Sequence, residues 1–452
     1  MFQTLKKAWG VPEIRKKLLY TLLMIILFRF GSAVTVPFLN PDVVKSWMSS
    51  NATGGNFLEY LNTLTGGALS QATVFSLAIT PFINASIILQ LLTYAIPALE
   101  RLKDEGEEGR KKIDKITAIV AMVLAVFMAY AYFLTLKNMT DSNGNRALKY
   151  TAGKDMYFAA AVIIALFVAG ALIVVWMGNR ISDKGIGNGI SIILFAGIAA
   201  RFPKDALYLG KLAKDSIEQG QNGKYVFISL AYLAFIIFEV GFIVFMNEAE
   251  RRIPIQYAKR VVGRKQYGGQ KTHIPIKVCM SGVMPIIFAM AFMSIPQTIE
   301  MFVAAPTGDP ATWSFGQKFY HGFLNFFNYS SGWYAVIYFI LIIAFNYFYV
   351  SMQYNPIEIA NNLRQNNGGI PGIRPGKPTS DFIQRVLSKI TLIGAVCLGI
   401  IAIFPILFHM AVPAMNISMG GTSILIIVSV VLETVRTMES QMMMRHHKGF
   451  LE

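Results

Sequence analysis

The segment that comes nearest to a catalytic motif is 372–377, which reads GIRPGK and resembles a nucleotide-binding phosphate loop. Its glycine spacing is one residue short, and Pro378 stands where that motif requires Ser or Thr. Two prolines also remove backbone N–H groups that would bind a phosphate. We find no metalloprotease motif and no paired-aspartate or serine–lysine arrangement of an intramembrane hydrolase. We therefore expect no enzyme, no metal and no cofactor, and energy for any work must come from a partner.

Other reactive side chains are few. Cys279 and Cys397 both fall in apolar stretches without metal-ligand spacing, so we interpret them as small apolar residues. Four ionisable residues fall in different apolar stretches: Arg29, Glu239, His409 and Glu433. Each is a functional candidate, although a structural or snorkelling role explains it equally well. A coupled transporter of small solutes would need a partnered group near the membrane midplane, and the sequence shows no such pair.

The composition that surrounds these residues is that of a membrane protein. Of the 452 residues, 54% are hydrophobic and 15% are charged, and the mean hydropathy is +0.49. Ten apolar stretches approach the length of about 20 residues that a helix needs to cross a bilayer, the fifth being the shortest. They are 18–38, 74–98, 114–136, 157–178, 186–202, 225–246, 276–302, 332–353, 388–408 and 421–438. The sequence predicts an all-α polytopic membrane protein with ten transmembrane helices and no cleavable signal peptide.

Lysine and arginine residues predict the orientation. Most of the 41 basic residues fall in alternate loops on the side of the N-terminus, so the positive-inside rule places both termini in the cytoplasm. The net charge of +16 is explained by this topology and by anionic lipids better than by nucleic acid. One loop, 251–277, nevertheless carries more positive charge than orientation requires.

Two pairs of apolar stretches resemble each other at an offset of five. The second carries PFINA from Pro81 and the seventh carries PIIFA from Pro285, while the fifth opens GISIIL at Gly189 and the tenth opens GTSILI at Gly421. An odd number of spans in each half makes such a repeat inverted in the membrane. We predict two inverted five-helix halves, 1–203 and 225–452, joined by an external hinge linker at 204–224. The second half would carry cytoplasmic loops at 247–277 and 354–387.

Residues 178–198 read GNRISDKGIGNGISIILFAGI and join a glycine-dense polar loop to a short apolar helix. Gly185, Gly187 and Gly189 let the backbone turn tightly against neighbouring helices. The segment resembles a signature of the SecY family of protein-conducting channels, and the resemblance extends through most of the chain. It implies a channel in the bacterial plasma membrane that passes unfolded secretory polypeptides and releases membrane segments laterally.

The repeated motifs align branched apolar residues. Ile83 and Ile287 each lie two positions after a motif proline, Leu194 and Ile426 match after the motif glycines, and Ile79 lies one helical turn from Ile83. On the residues alone they could be ordinary packing residues. The resemblance to SecY implies that the five form an apolar pore ring, which would flex around any chain and exclude water when empty.

Residues 57–75 read FLEYLNTLTGGALSQATVF and are too short and too polar to add a further span beside 74–98. On sequence alone the segment could be an amphipathic helix on the membrane surface. The resemblance implies a re-entrant plug helix that closes the outer mouth of the channel. Its candidate residues are Phe57, Leu61, Leu64, Gly66, Gly67 and Leu69.

The two large cytoplasmic loops have basic tips. Residues 251–277 read RRIPIQYAKRVVGRKQYGGQKTHIPIK, which predicts a β-hairpin-like arm, and 355–379 end in a Gly- and Pro-rich basic tip. These tips could be merely solvated, or they could bind rRNA phosphates or an acidic protein face. The resemblance implies binding sites for the ribosome and the SecA motor ATPase at Arg251, Arg252, Arg264, Lys265, Arg374 and Lys377.

The resemblance further implies a lateral gate between spans two and three and spans seven and eight. Asn84, Ser86 and Gln90 are its polar candidates, whereas Cys279 stands where the family commonly has an asparagine, which puts the closed-state stabilisation in question. The implied partners are the SecE and SecG membrane subunits, SecA, the ribosome, signal peptides, nascent chains and anionic lipids. A small-solute transporter and a membrane scaffold are the alternatives that the residues alone leave open.

Overall fold

The computed structural model describes residues 8–50, 57–140, 144–150, 153–218, 224–257, 260–262, 265–267, 271–302, 314–327, 331–411 and 421–448. In its first half, α1 to α9 are Pro12–Gly31, Pro41–Ser50, Phe57–Leu64, Thr80–Ala95, Pro97–Asp104, Glu107–Asn138, Lys154–Lys184, Gly189–Ala199 and Phe202–Glu218. In its second half, α10 to α17 are Lys224–Glu248, Met284–Met293, Ile295–Phe302, Phe315–Phe326, Gly332–Gln353, Pro356–Gln365, Lys377–Ala411 and Thr422–Lys448. Five strands, β1 to β5, are Glu250–Tyr257, Arg260–Val262, Lys265–Tyr267, Lys271–Lys277 and Gly368–Gly369.

Every predicted span overlaps a helix or a pair of helices. Five helices, α6, α7, α10, α14 and α16, lie in stretches long and apolar enough to cross a bilayer, and α4 with α5 forms a sixth candidate that is bent by 104°. The exposed faces of these helices carry large apolar side chains, as a lipid-facing surface requires. The chain is a multi-pass, mainly helical membrane protein, as predicted.

Two predicted spans have different bounds in the structure. The first helix ends at Gly31 rather than at 38, because the backbone leaves the helix to pair with the predicted plug segment, residues 57–75. Val36 N–H donates to Ala72 O at 3.0 Å, and Val74 N–H donates to Val34 O at 3.0 Å. The seventh span is helical only from Met284 rather than from 276, because 276–277 belong to strand β4 and 278–283 form bends and turns. At the end of the first span and at the start of the seventh, backbone pairing thus replaces helix although the composition is apolar.

The neighbours of the spanning helices recur at an offset of five spans. In the first half α4 packs on α6, α6 on α7, α7 on α8, and α1 on both α7 and α8. In the second half α11 packs on α14, α14 on α16, α16 on α17, and α10 on both α16 and α17. The two sets of neighbours correspond one to one, which is the arrangement that the predicted repeat requires. Between the sets, α8 packs on α17 and α6 packs on α12.

Candidate functional site

The glycine-dense loop places α8 at the centre of the bundle. A β-carbon on Gly189 would clash with the backbone carbonyl of Gly178 on α7, so the two helices approach more closely than any side chain allows. Asn188 caps α8, since its side-chain oxygen accepts hydrogen bonds from the Ile190 N–H at 3.1 Å and the Ser191 N–H at 3.5 Å. The prediction that the loop glycines serve tight backbone turns against neighbouring helices is confirmed.

The predicted ring residues largely share one apolar cluster at the junction of α8 and α17. Ile79, Leu194 and Ile426 are buried in this cluster, and Ile83 is partly buried against it. The second half contributes Val283, which lies just before α11. Ile287 is partly buried one turn further along α11 and is not among the residues of the cluster.

The plug segment, residues 57–75, returns into the bundle as α3 followed by a series of turns. Leu64 and Phe75 join the central cluster, whereas Leu61 and Leu69 pack in a neighbouring cluster of the first half. Its backbone is held by the helices around it, because the Tyr132 hydroxyl donates to the Leu69 carbonyl at 2.8 Å. The segment is thus re-entrant and buried, as predicted. Phe57 opens α3, and its side chain lies outside the described residues.

Three spanning helices present a glycine where the plug segment touches them. A β-carbon on Gly31 of α1 would clash with the Phe75 ring, and one on Gly170 of α7 would clash with the Val74 carbonyl. A β-carbon on Gly197 of α8 would lie 2.5 Å from the Leu64 carbonyl oxygen. The plug segment therefore rests directly on backbone at these three positions. Backbone carbonyls leave no room for a larger residue at Gly170 and Gly197, whereas a larger residue at Gly31 would have to displace the Phe75 ring.

We expect Gly197→Ala to unseat the plug segment. The added methyl group overlaps a backbone carbonyl that cannot rotate away, and such overpacking costs about 1–3 kcal/mol. Each 1.4 kcal/mol multiplies the displaced population about tenfold. The matched control is Gly241→Ala on α10, where no atom lies within 4 Å of the new β-carbon. Resting ion leak from reconstituted vesicles should rise for Gly197→Ala only, and equal leak from both variants would refute this seating.

A second pair separates steric overlap from backbone strain. Gly66 and Gly67 have φ angles of 68° and 90°, which both disfavour alanine. A β-carbon on Gly66 would lie 2.6 Å from the Gly197 carbonyl oxygen, whereas one on Gly67 meets nothing within 4 Å. The resting ion leak from reconstituted vesicles should therefore be larger for the Gly66→Ala variant than for the Gly67→Ala variant.

An apolar cavity of about 350 Å³ opens between the two halves. Its walls come from α4 and α6 on one side and from α11, α12 and α14 on the other; they include Asn84, Ile88, Phe127, Phe288, Thr298 and Phe345. These are the spans between which the sequence predicts a lateral gate. Of the predicted polar residues, Asn84 lines the cavity, and Ser86 accepts a hydrogen bond from Gln90 at 3.4 Å on the same helix.

Cys279 lies apart from this cavity. It is buried in the apolar cluster of the second half, and its thiol donates to the Gly282 carbonyl at 3.6 Å. The polar contacts next to it come from Asn346, which the sequence analysis did not identify. Asn346 accepts a hydrogen bond from the Ser281 hydroxyl and donates to the Thr391 carbonyl at 3.0 Å, so it joins spans seven, eight and nine. An isolated asparagine in an apolar stretch was the available signal.

The predicted β-hairpin arm is confirmed. Strands β1 and β4 pair antiparallel in a register that sets Glu250 against Lys277, and β2 and β3 form a separate hairpin towards the tip. The second basic loop joins this arm, because β5 adds to the free edge of β1 with Tyr257 opposite Gly368. An apolar cluster that includes Ile253, Leu363 and Ile383 lies beneath the sheet. The two loops therefore form one unit.

The basic residues of this unit point outward where they are described. Arg251, Arg374 and Lys377 are exposed, and Arg252 donates to the Glu250 carboxylate at 2.6 Å while remaining largely exposed. Arg374 lies between Gly372 and Gly376, whose φ angles of 81° and 104° fix a tight turn. Arg264 lies outside the described residues, as does the side chain of Lys265 in β3.

Of the intramembrane ionisable residues that the structure describes, Glu239 is buried and Arg29 is half-buried. Arg29, at the end of α1, reaches beneath the plug segment, where its Nη1 would lie 2.8 Å from a β-carbon on Gly66. Glu239 of α10 lies beside the backbone of Gly421. Arg29 Nη1 makes no hydrogen bond among the described residues, and no ion pair joins it to the Glu239 carboxylate there. The two groups therefore do not form the carboxylate–cation pair that a coupled transporter would use.

Comparison with known proteins agrees with this geometry. A solved SecY protein, whose plug domain is described as stabilising the closed translocation channel, is similar with a TM-score of 0.62 and 18% identity over 96% of each chain. The channel of the canine ribosome–channel complex from the endoplasmic reticulum gives a TM-score of 0.57 and 17% identity, again over 96% of each chain. The fold is therefore that of a protein-conducting membrane channel.

Sequence similarity identifies the family. A family model described as SecY matches residues 73–435. The protein translocase subunit SecY of Streptomyces coelicolor is 39% identical over 456 residues, covering all of both chains. The chain belongs to the SecY family.

Proposed function

We propose that this chain is the pore-forming subunit of a bacterial protein translocase. It passes unfolded secretory polypeptides across the plasma membrane and releases apolar segments sideways into the bilayer. The observation that carries this proposal is the apolar cluster between the two halves, sealed from one side by a buried re-entrant segment. Such a closed passage has no fixed polar site that would hold a substrate, so it suits chains of any sequence.

The halves are proposed as 1–203 and 225–452. Helix α9 overlaps most of the linker at 204–224 and packs on α10. This linker would act as the hinge. Ile79, Ile83, Leu194 and Ile426 would form the ring, with Ile287 or Val283 completing it from α11. The plug segment would cover the ring on the external side. Both termini and the β-sheet would then lie in the cytoplasm.

The apolar cavity between α4, α6, α11 and α12 is proposed as the lateral exit. Its walls belong to different halves, so a hinge motion would widen it towards the lipid. An apolar segment that reaches this cavity exchanges one apolar surface for another, and no charged group has to be desolvated. Asn84 supplies the polar contact in its wall, and Ser86, Gln90 and Cys279 would influence the gate only indirectly.

The joined basic loops are proposed to receive a driving partner. The solved canine relative belongs to a ribosome–channel complex, and exposed Arg251, Arg374 and Lys377 offer charge for rRNA phosphate or for an acidic face of SecA. SecE and SecG are proposed to complete the membrane complex. Anionic lipids would contact the basic residues near the bilayer.

The decisive experiment is reconstituted transport. The chain is purified with SecE and SecG, placed in vesicles, and supplied with SecA, ATP and a purified preprotein. We expect ATP-dependent protection of the preprotein from added protease. A photo-crosslinker at Thr298, which lines the cavity, should capture the signal peptide, whereas one at exposed Ile340 on α14 should capture lipid. An assembled complex that binds SecA and protects no preprotein would refute the proposed function.

A further inference from the structure

The helix α13, Phe315–Phe326, lies between α12 and α14, at the end of the bundle opposite the β-sheet. Its residues divide into two faces. Phe315, Phe319, Phe323 and Phe326 recur at spacings of three and four and share one face. Gln317, His321 and Asn325 recur at spacings of four and share the opposite face. The helix is therefore strongly amphipathic, and none of its residues is buried.

The phenylalanine face is open. Phe315 is 85% exposed and Phe319 is 70% exposed, while Phe323 rests against Phe327 with ring centroids 5.0 Å apart. Adjacent exposed aromatic rings on one helix face are costly in water, so they mark a surface that another phase or molecule covers. The N-terminus of the helix is nevertheless capped, because the Gln317 side chain accepts a hydrogen bond from the Ser314 N–H at 3.0 Å.

The open face continues into a surface that faces lipid. Phe326 stacks on Trp333, with ring centroids 6.2 Å apart and an interplanar angle of 27°. Trp333 lies in the first turn of α14, a membrane-spanning helix, and it is exposed together with Val336 and Ile340 on the same side. Tryptophan at the end of a spanning helix is typical of the membrane–water interface. The phenylalanine face thus begins where the lipid-facing stripe of α14 ends.

We propose that α13 lies in the bilayer interface, with its phenylalanine face inserted among phospholipid chains of the leaflet opposite the β-sheet. Its polar face then remains in water, as in other interfacial helices. Because α13 packs on α12, and α12 lines the apolar cavity with Ile295, Thr298 and Ile299, the helix anchors one wall of that cavity to the lipid. The proposal needs only a membrane-embedded chain and is independent of the ring, plug and motor assignments.

Site-directed spin labelling tests the proposal in the full complex with SecE and SecG in phospholipid vesicles. Cys279 and Cys397 are first replaced by alanine, and a single cysteine is introduced as Phe319→Cys or, as the matched control, Asn325→Cys on the opposite face. Molecular oxygen partitions into lipid and a nickel chelate stays in water, so their relaxation effects report depth. We expect the oxygen-to-nickel accessibility ratio to be at least about fivefold higher at position 319 than at position 325.

Two outcomes would overturn the proposal. Equal nickel accessibility at both positions would place the phenylalanine face in water. An immobile label at position 319 that neither reagent reaches would mean that a protein subunit covers the face. Phe315→Cys, at the most exposed position of the helix, provides a second label should Phe319→Cys fail to assemble. An interfacial label in a complex that transports nothing would refute the proposed function and leave this inference standing.

Discussion

Arg374→Glu will reduce SecA-driven preprotein transport by at least about tenfold while leaving the channel folded. The exposed side chain lies on a glycine-fixed turn at the tip of the joined loops. Among the described residues only the backbone carbonyl of Arg374 makes a hydrogen bond, which it accepts from the Thr379 hydroxyl at 2.9 Å. Exposed loop substitutions usually change stability by less than about 0.5 kcal/mol. A reversed charge facing an acidic partner surface costs several kcal/mol, and 1.4 kcal/mol already corresponds to tenfold.

The matched control is Arg110→Glu, another exposed basic residue that the proposed topology places on the same side of the membrane. It makes the same change of net charge away from the loop unit. Arg374→Lys keeps the positive charge. It should retain most of the transport if the partner recognises only that charge. Transport is measured with SecA, ATP and a purified preprotein, and folding by thermal denaturation in detergent. If Arg374→Glu transports as well as Arg110→Glu, the loop charges serve topology alone.

Replacing Ile83, Leu194 and Ile426 together by glycine will make the resting channel conduct ions. The three side chains belong to the apolar cluster at the junction of the halves, and their removal widens the passage and exposes polar backbone, so water can enter. Each large-to-small change in a packed core also costs about 2–5 kcal/mol. The single variants are therefore made first, and assembly is checked by size-exclusion chromatography.

The control for the ring variant removes the same amount of apolar side chain elsewhere. Ile119, Ile340 and Ile400 are exposed on spanning helices, and their replacement by glycine should leave conductance in planar bilayers unchanged. Ile287→Gly and Val283→Gly, compared singly, decide which of the two residues completes the ring from α11. If the triple ring variant assembles normally and conducts no ions at rest, the assignment of these residues to a pore ring is refuted.

The sequence predicted the elements better than their contacts. Helices at the ten predicted stretches, the hairpin arm and the re-entrant segment follow from apolar run length, strand-forming residues and a short polar insertion, which are local properties. The end of α1 at Gly31 is not local, because it depends on backbone pairing between 34–36 and 72–74. The start of α11 is not local either, because the residues before it include the end of strand β4, which pairs with β1.

Individual site residues were predicted less evenly. Repetition paired Leu194 with Ile426, and both are buried in one apolar cluster, with Ile83 partly buried against it. It selected Ile287, whereas the residue of this region that packs against the cluster is Val283, one helical turn earlier in the sequence. The start of a helix is not fixed by sequence to a single turn. Asn346 was overlooked, because its role depends on hydrogen bonds with Ser281 and Thr391, which are far from it in the sequence.

The one-to-one repetition of helix neighbours within each half bears on how the protein is made. Most extensive helix packing in the described chain stays within one set of five spans, and the packing between the sets is concentrated at α8 with α17 and α6 with α12. The first set can therefore complete its own packing while the second is still being synthesised, as folding units generally do during translation. The partners α12 and α17 emerge later, so the seam between the halves closes last. The passage would thus be the final feature to form. In an unfinished chain the side of the first set that later packs on the second would face lipid, and no water-filled passage would yet cross the membrane.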